Sequence, residues 1–122
     1  MNAPLNARCL EVDISRDRGD TFPERIYVWS KEDGAKINIS TGYTFTLVVS
    51  ATEDVDPAAS SNFLFTITGV IIDDGSAALR GKVEFPPSAL DADFVGDMFY
   101  EIWMYDPNTK KRTIRKGRYI VA

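Results

Sequence analysis

The 122-residue chain contains no histidine and a single cysteine, Cys9. Without histidine, neither a serine–histidine nor a cysteine–histidine nucleophile pair can form, and zinc sites built on histidine and cysteine clusters are excluded as well. One cysteine cannot close an intramolecular disulfide and points to a reducing compartment. Carboxylates, lysines, tyrosines and one thiol remain, which leaves enzymes built on carboxylate pairs or on metal and carboxylates open. Because no carboxylate pair is singled out by its surroundings, the sequence predicts a non-enzymatic protein with no catalytic residue, cofactor or metal.

The chain also lacks long apolar runs and helical periodicity. Its apolar runs extend over only a few residues, far short of the roughly 20 that a membrane span requires, and its N-terminus lacks the basic-then-apolar layout of a signal peptide. No segment repeats apolar residues at the spacing of an amphipathic helix. We therefore expect no membrane partner and no long helix.

Apolar and polar side chains alternate with a period of two along most of the chain, which predicts half-buried strands. In the segment "FLFTITGVII" (63–72) this places Phe63, Phe65 and Ile67 on one face and requires a bend or a bulge at Gly69. Turn sequences such as "EDGA", "STGY", "DDGS" and "DPNT" separate the runs. Seven to nine short strands predict an all-β fold, an immunoglobulin-like β-sandwich of two antiparallel sheets. The side chains expected to be almost fully buried are Leu47, Phe65, Val83 and Ile102.

Residues 1–8 have little apolar content and are predicted to form a flexible N-terminal arm, while residues 9–122 form a single sandwich domain. The tripeptide Arg18-Gly19-Asp20 matches an integrin-binding sequence. A Gly-Asp pair just before a strand is also ordinary turn chemistry. An adhesion ligand would be expected to carry a secretion signal and often disulfides, so we interpret the tripeptide as a turn.

The order of the motifs resembles a known family. "RGDTF" leads into an aromatic strand, followed by "DGAKINISTGYTFTLVV", a "GVI…GKVEF" hairpin, "GDMFYEIWMYD" and a terminal "TIRKGRYIV". Over roughly residues 10–122 this is similar to the small immunoglobulin-like modules of tailed bacteriophages and prophages, in particular the N-terminal domain of the baseplate upper protein. The resemblance implies an assembly module that anchors receptor-binding machinery to the tail. The sequence ends at the last strand, which favours a stand-alone virion component.

Charge is distributed unevenly along the chain. Residues 1–106 carry 8 basic and 18 acidic side chains, whereas residues 107–122 carry 6 basic and no acidic ones. This basic terminal hairpin could be a solvated edge that discourages strand pairing, a docking surface for an acidic neighbour, or, less favourably, a nucleic-acid contact. Its candidate interface residues are Lys110, Lys111, Arg112, Arg115 and Lys116.

Aromatic side chains occur on both faces of two predicted strands. One face must be core, and the other either packs under a loop or meets a partner. The candidate interface residues here are Tyr27, Trp29, Trp103 and Tyr105. A sugar-stacking platform is a further alternative.

Three pairs of loop carboxylates could contribute to calcium binding, but none matches the twelve-residue calcium loop. They are Asp54/Asp56, Asp73/Asp74 and Asp91/Asp93. Solvated loop residues and turn caps are the favoured explanation, and nothing selects a pair for glycosidase chemistry.

The sequence therefore predicts a non-enzymatic structural component of a tailed-phage virion, made in the bacterial host cytoplasm. An adaptor or attachment protein of the tail or baseplate is the first hypothesis. A capsid decoration protein and a carbohydrate-binding module are the alternatives. The expected partners are other virion proteins and copies of the chain itself.

Overall fold

The computed structural model describes residues 7, 9–17, 22–53, 63–86, 96–108 and 110–122. Within these residues there is no α-helix, and a single 3-10 turn occurs at Ala77–Leu79. The predicted all-β fold is confirmed. The nine strands are β1 (Leu10–Glu11), β2 (Ile14–Arg16), β3 (Glu24–Tyr27), β4 (Thr44–Ser50), β5 (Phe63–Thr68), β6 (Val70–Ile71), β7 (Lys82–Phe85), β8 (Gly96–Tyr105) and β9 (Lys111–Val121).

The strands form two sheets that correspond to the two layers of an immunoglobulin-like sandwich. The larger sheet has the order β1-β9-β8-β4-β5, with β2 pairing further along β9, and the smaller sheet has the order β3-β7-β6. The strands from β3 onward pair antiparallel, as predicted. In contrast, β1 and β2 both pair parallel to β9, which the sequence analysis did not foresee.

The core lies between the two sheets and is built from the alternating inward side chains of both. Leu47, Val83 and Ile102 are 0% exposed and Phe65 is 4% exposed, so the predicted core residues are confirmed. The large rings of the core come from Phe45, Phe85, Tyr100 and Tyr119. Burial of this set is the main source of stability for a domain without disulfides.

A β-bulge changes the expected face of Phe63. The register of β4 and β5 pairs Val49 with Phe65 but Ser50 with Phe63, which leaves Leu64 as the extra residue. Leu64 packs against the core, and Phe63 packs against Trp103 on the outer face of the larger sheet. The prediction that Phe63 shares a face with Phe65 and Ile67 is therefore wrong, because a bulge shifts the alternation by one residue.

Gly69 is the point at which the chain crosses from the larger sheet to the smaller one, as the predicted bend requires. A Cβ atom at this position would lie 2.9 Å from both Phe45 Cβ and Phe85 Cε1. The Gly69 N–H donates to the Phe45 carbonyl at 2.8 Å. The crossing therefore passes through the core at a place where there is no room for a side chain.

Several predictions fall outside the described residues. These are the Arg18-Gly19-Asp20 turn, the carboxylate pairs Asp54/Asp56 and Asp91/Asp93, and residues 1–6 and 8 of the predicted arm. Ala7 is described and is fully buried, with a bridge to Ser30. In the part of the chain that the structure describes, no helix is long and apolar enough to cross a membrane.

Candidate interaction surface

Asp106 shapes the tip of the terminal hairpin formed by β8 and β9. Its carboxylate is buried, and Oδ1 accepts hydrogen bonds from the backbone N–H groups of Asn108 (2.9 Å) and Lys110 (2.8 Å). This is the turn chemistry that the "DPNT" sequence predicts. Nearby, burial and then the charge of Asp106 raise the pKa of Tyr43 above its usual value. The turn leaves Lys110 and Lys111 exposed at the tip.

An aromatic group on the outer face of the larger sheet, here called the Trp103 cluster, consists of Val48, Phe63, Trp103 and Tyr105. The rings of Phe63 and Trp103 meet edge to face, with centroids 5.8 Å apart. This arrangement is favourable for the quadrupoles of the two rings. The cluster exists because the β5 bulge brings Phe63 to this face.

Polar neighbours hold Trp103 in one orientation. Its Nε1–H donates to Glu101 Oε1 at 2.9 Å, and the same oxygen accepts from Thr113 Oγ1 at 3.0 Å. Lys111 Nζ lies 4.3 Å from the centroid of the indole ring, within the range of a cation–π interaction. Trp103 is only 5% exposed. The ring faces outward but is covered by its own neighbours, and the interface role predicted for Trp103 stays a prediction.

A second aromatic group, here called the Tyr27 cluster, consists of Tyr27, Trp29 and Lys36 and belongs to the smaller-sheet side of the sandwich. Tyr27 is 37% exposed and Trp29 is half-buried. An isolated bridge pairs Trp29 with Lys36 and so places the ammonium group 4.1 Å from the Tyr27 ring centroid and 5.5 Å from that of Trp29. This is the more accessible of the two aromatic groups, and it carries a positive charge.

The remaining predicted basic residues are not gathered into one patch. Lys116 lies 3.7 Å from a carboxylate oxygen of Glu11, and Arg112 donates to the carbonyl of Ala7. Arg115 lies opposite Ile102 in the ladder at a second bulge, and its positive charge opposes the rise in the pKa of Tyr100. The structure thus brings Trp103, Tyr105 and Lys111 together, with Lys110 next to Lys111 in the sequence. Tyr27 and Trp29 form a separate group. Arg112, Arg115 and Lys116 interact with other residues of the same chain.

Hydrogen bonds of Val12, which lies between β1 and β2, join the N-terminal strands to β9 and β8. The Val12 N–H donates to the Lys116 carbonyl at 2.9 Å, and the Val12 carbonyl accepts from the Tyr100 hydroxyl. A Cβ at Gly117 would lie 2.8 Å from the Val12 carbonyl carbon, so this close approach requires glycine. Burial, opposed by Arg115, raises the pKa of Tyr100 to about 12 and keeps the hydroxyl a donor.

An open cleft of about 500 Å³ lies beside this fastening, on the outer side of β8 and β9. Four carboxylates and two cations line it, together with Phe99, Tyr100 and Gly117. The charged residues are Glu11, Asp13, Glu53, Glu101, Lys116 and Arg118. Glu101 is already engaged by Trp103 and Thr113, and Glu11 and Asp13 face Lys116 and Arg118. Among the described residues, no group of three or more histidine, cysteine or acidic side chains could hold a metal ion.

The described carboxylate pair, Asp73/Asp74, has a structural role. Asp73 is 4% exposed, and its oxygens accept from the backbone N–H groups of Ile39 (2.9 Å), Gly75 (2.8 Å) and Gly81 (2.8 Å). Burial opposes ionisation, but these three hydrogen bonds outweigh it and hold the pKa of Asp73 below its usual value. Asp74 is exposed and caps the adjacent turn through the Ser76 N–H at 2.9 Å. The turn-cap interpretation therefore holds for this pair.

Sequence reasoning missed three residues that shape these surfaces. Phe63 was predicted to lie on the core face because nothing in the local sequence pattern indicates the bulge at Leu64. Lys36 had no signal, since its contact with Tyr27 depends on pairing across a turn. Arg16 is buried and donates to Glu24 at 3.0 Å and to the Phe22 carbonyl at 2.8 Å, closing the base of the segment that contains the Arg18-Gly19-Asp20 tripeptide.

No protein-family model matches the chain, and no curated protein matches it. Solved structures do. The N-terminal domain of phage TP901-1 ORF48 is similar with a TM-score of 0.52 and 14% sequence identity, over 93% of this chain and 96% of that chain. CopC from Methylosinus trichosporium OB3b matches with a TM-score of 0.34 and 8% identity, over 99% of this chain and 91% of that one. The chain thus shares its fold with a phage domain, in agreement with the tailed-phage immunoglobulin-like module that its motifs resemble.

Proposed function

We propose that the protein is a non-enzymatic structural component of a tailed-phage virion, acting as an adaptor or attachment module of the tail or baseplate. The observation that carries this proposal is the fold shared with a phage domain across nearly the whole of both chains. The order of the sequence motifs, which resembles the N-terminal domain of baseplate upper proteins, supports it independently of the coordinates.

The surface chemistry fits a protein that docks rather than catalyses. Of the charged groups of the cleft, Glu11 and Asp13 face Lys116 and Arg118, and Glu101 accepts hydrogen bonds from Trp103 and Thr113. The oxygens of Asp73 are occupied by backbone hydrogen bonds. What the described surface offers instead is the accessible Tyr27 cluster and two exposed lysines at the tip of the β8–β9 hairpin. Aromatic rings that bury apolar area and charges that steer approach are the usual elements of a protein interface.

The first experiment locates the protein in particles. Purified virions of the source phage are labelled with a gold-conjugated antibody, or their density is compared with the sandwich fold. Label at the tail tip supports the adaptor, whereas label distributed over the shell favours the capsid decoration protein. A protein absent from particles is neither, and the proposal would then be withdrawn.

The second experiment asks which surface docks. Lys110→Ser removes one charge at the hairpin tip, Lys36→Ser removes one charge from the Tyr27 cluster, and Lys31→Ser, an exposed residue that belongs to neither, is the control. We expect Lys110→Ser to enter particles more slowly and Lys31→Ser to enter normally. Slower entry of Lys36→Ser instead would assign the steering charge to the Tyr27 cluster.

The third experiment addresses the aromatic residues. Trp29→Ala removes a half-buried ring from the Tyr27 cluster and is expected to reduce incorporation while the far-ultraviolet circular dichroism spectrum stays that of a β-protein. A glycan array probed with the wild-type protein tests the remaining alternative. Specific glycan binding that is lost in Trp29→Ala would favour the carbohydrate-binding module.

A further inference from the structure

The described strands leave four sheet edges, and three of them are poor templates for pairing with another strand. The edge formed by β1 and β2 is interrupted at Val12–Asp13, and β6 has only two residues. Strand β3 carries Glu24 and Arg25. Short length, interruption and charge are the features by which proteins protect sheet edges.

The fourth edge, β5, is neither short, interrupted nor charged, although the bulge at Leu64 limits its regular ladder to Phe65–Thr68. It has six residues, Phe63–Thr68, with the sequence FLFTIT, and contains neither a charged residue nor a proline. Among the described strands its only neighbour is β4. Thr66 and Thr68 are exposed. Such a strand, rich in β-branched and aromatic residues, is a ready template for a further strand.

The hydrogen-bond pattern fixes which backbone groups of β5 face away from β4. The Gly69 N–H donates to Phe45 O, and the register continues with Leu47 opposite Ile67. Bonded pairs alternate along an antiparallel ladder. Ile67 therefore bonds to β4, while the N–H and C=O groups of Thr66 and Thr68 point away from β4, toward the edge at which no other described strand lies.

We propose that β5 is a dimerisation edge that pairs antiparallel with β5 of a second copy, joining the two larger sheets. A two-fold axis brings a strand opposite itself, so a charged residue at the axis would face the same charge on the other copy. Strand β5 is neutral and escapes this repulsion, even though the whole chain carries a net charge of −4. A second copy can therefore pair along this edge without opposing like charges.

The backbone N–H and C=O groups of Thr66 and Thr68 that point away from β4 select one pairing register, centred on Ile67. In this register, Thr66 of each copy lies opposite Thr68 of the other. The N–H and C=O groups of all four threonines in the dimer then have hydrogen-bond partners. Cross-strand threonine pairs are favourable. Because the contact is one strand wide, the dimer is expected to be weak in solution and strengthened when copies are held close together.

Sedimentation equilibrium over a wide range of protein concentration tests the proposal. Wild-type protein is expected to show a reversible monomer–dimer equilibrium. Thr66→Lys/Thr68→Lys opposes like charges twice across the axis and should weaken the dimer by roughly tenfold or more. Thr66→Glu/Thr68→Lys has the same number of new charges but opposes unlike ones, and should retain it. Thr44→Lys, at an exposed position on the internal strand β4, should leave it unchanged.

Wild-type protein that stays monomeric at every concentration would overturn the proposal, as would a double-lysine variant that dimerises as tightly as the wild type. Loss of the dimer in Thr66→Glu/Thr68→Lys would overturn the pairing register centred on Ile67. Loss of the dimer in Thr44→Lys would show that the copies meet through the face of the larger sheet and not through its edge. Monomeric protein whose double-lysine variant fails to enter particles would assign the edge to a strand of another protein. Circular dichroism and thermal unfolding confirm that each variant folds. If the double-lysine variant does not fold, Thr66→Glu/Thr68→Glu opposes like charges in the same register and replaces it. The measurement does not depend on the virion role, so either proposal can fail alone.

Discussion

Replacing Asp73 with alanine should destabilise the protein far more than its place in an "DDGS" turn suggests. The carboxylate accepts three backbone N–H groups, and two of the donors, those of Ile39 and Gly81, are in buried hydrogen bonds. Alanine would leave both without partners. An orphaned buried donor costs about 1–3 kcal/mol, so Asp73→Ala should lower the free energy of unfolding by about 2–6 kcal/mol. For a domain whose whole stability is about 5–15 kcal/mol, this is a large fraction.

Asparagine provides a graded comparison at the same position. Asp73 Oδ2 accepts from both Ile39 and Gly81, while Oδ1 accepts from Gly75. An asparagine with its oxygen in the Oδ2 position keeps the two buried bonds and loses the third, at a cost of about 1–2 kcal/mol. Urea denaturation followed by tryptophan fluorescence measures all variants. Asp74→Ala, an exposed turn cap, is the control and should leave stability nearly unchanged.

The pH dependence gives an independent check. Because folding lowers the pKa of Asp73, its ionised form stabilises the folded state above the ordinary aspartate pKa of 3.8, and this contribution is lost as the pH falls through the folded value. The stability difference between wild type and Asp73→Asn should therefore be full at neutral pH and shrink below about pH 4. If Asp73→Ala costs no more than Asp74→Ala, the carboxylate does not hold these loops together and the reasoning is refuted.

Three further outcomes are expected. Tyr100→Phe should lower the free energy of unfolding by about 1 kcal/mol at neutral pH. Because folding raises the pKa of Tyr100 from 10.0 to about 12, the wild type should lose stability between those pH values and the variant should lose less. An unchanged alkaline profile would argue against the buried hydroxyl. Gly117→Ala should displace Val12 and destabilise the domain by about 1–3 kcal/mol. The displacement should be visible as faster hydrogen exchange at the Val12 amide. Unaltered exchange there would contradict the close approach of Val12 to Gly117. Trp103→Ala should destabilise by about 3 kcal/mol, whereas Trp29→Ala should cost clearly less in the same urea titration; equal losses would mean that Trp103 is no better packed than Trp29.

Much of the fold could be predicted because its signals are local. Alternation with a period of two needs only neighbouring residues, and it correctly placed Leu47, Phe65, Val83 and Ile102 in the core. The turn at "DPNT" likewise depends only on residues that are adjacent in the sequence. The absence of helical periodicity was enough to give the fold class.

The candidate surfaces were predicted less well, because exposure depends on what packs nearby. The sequence named Trp103 as a candidate interface residue, but the near-complete burial of its ring depends on Phe63 and Lys111, which the local pattern does not place beside it. Similarly, the run of basic residues in β9 predicted one charged hairpin. Pairing with β1 instead draws Lys116 into contact with an acidic residue of the N-terminal strand.

The sequence by itself determined which segments become strands, where the chain turns and which side chains alternate into the core, since these follow from properties of adjacent residues. Tertiary structure alone decided the β5 bulge that turns Phe63 outward, the parallel fastening of Val12 to β9 and the capture of Ile39 and Gly81 by Asp73. Each of these joins residues far apart in the chain. Their free energy depends on register and close packing, which local patterns do not encode.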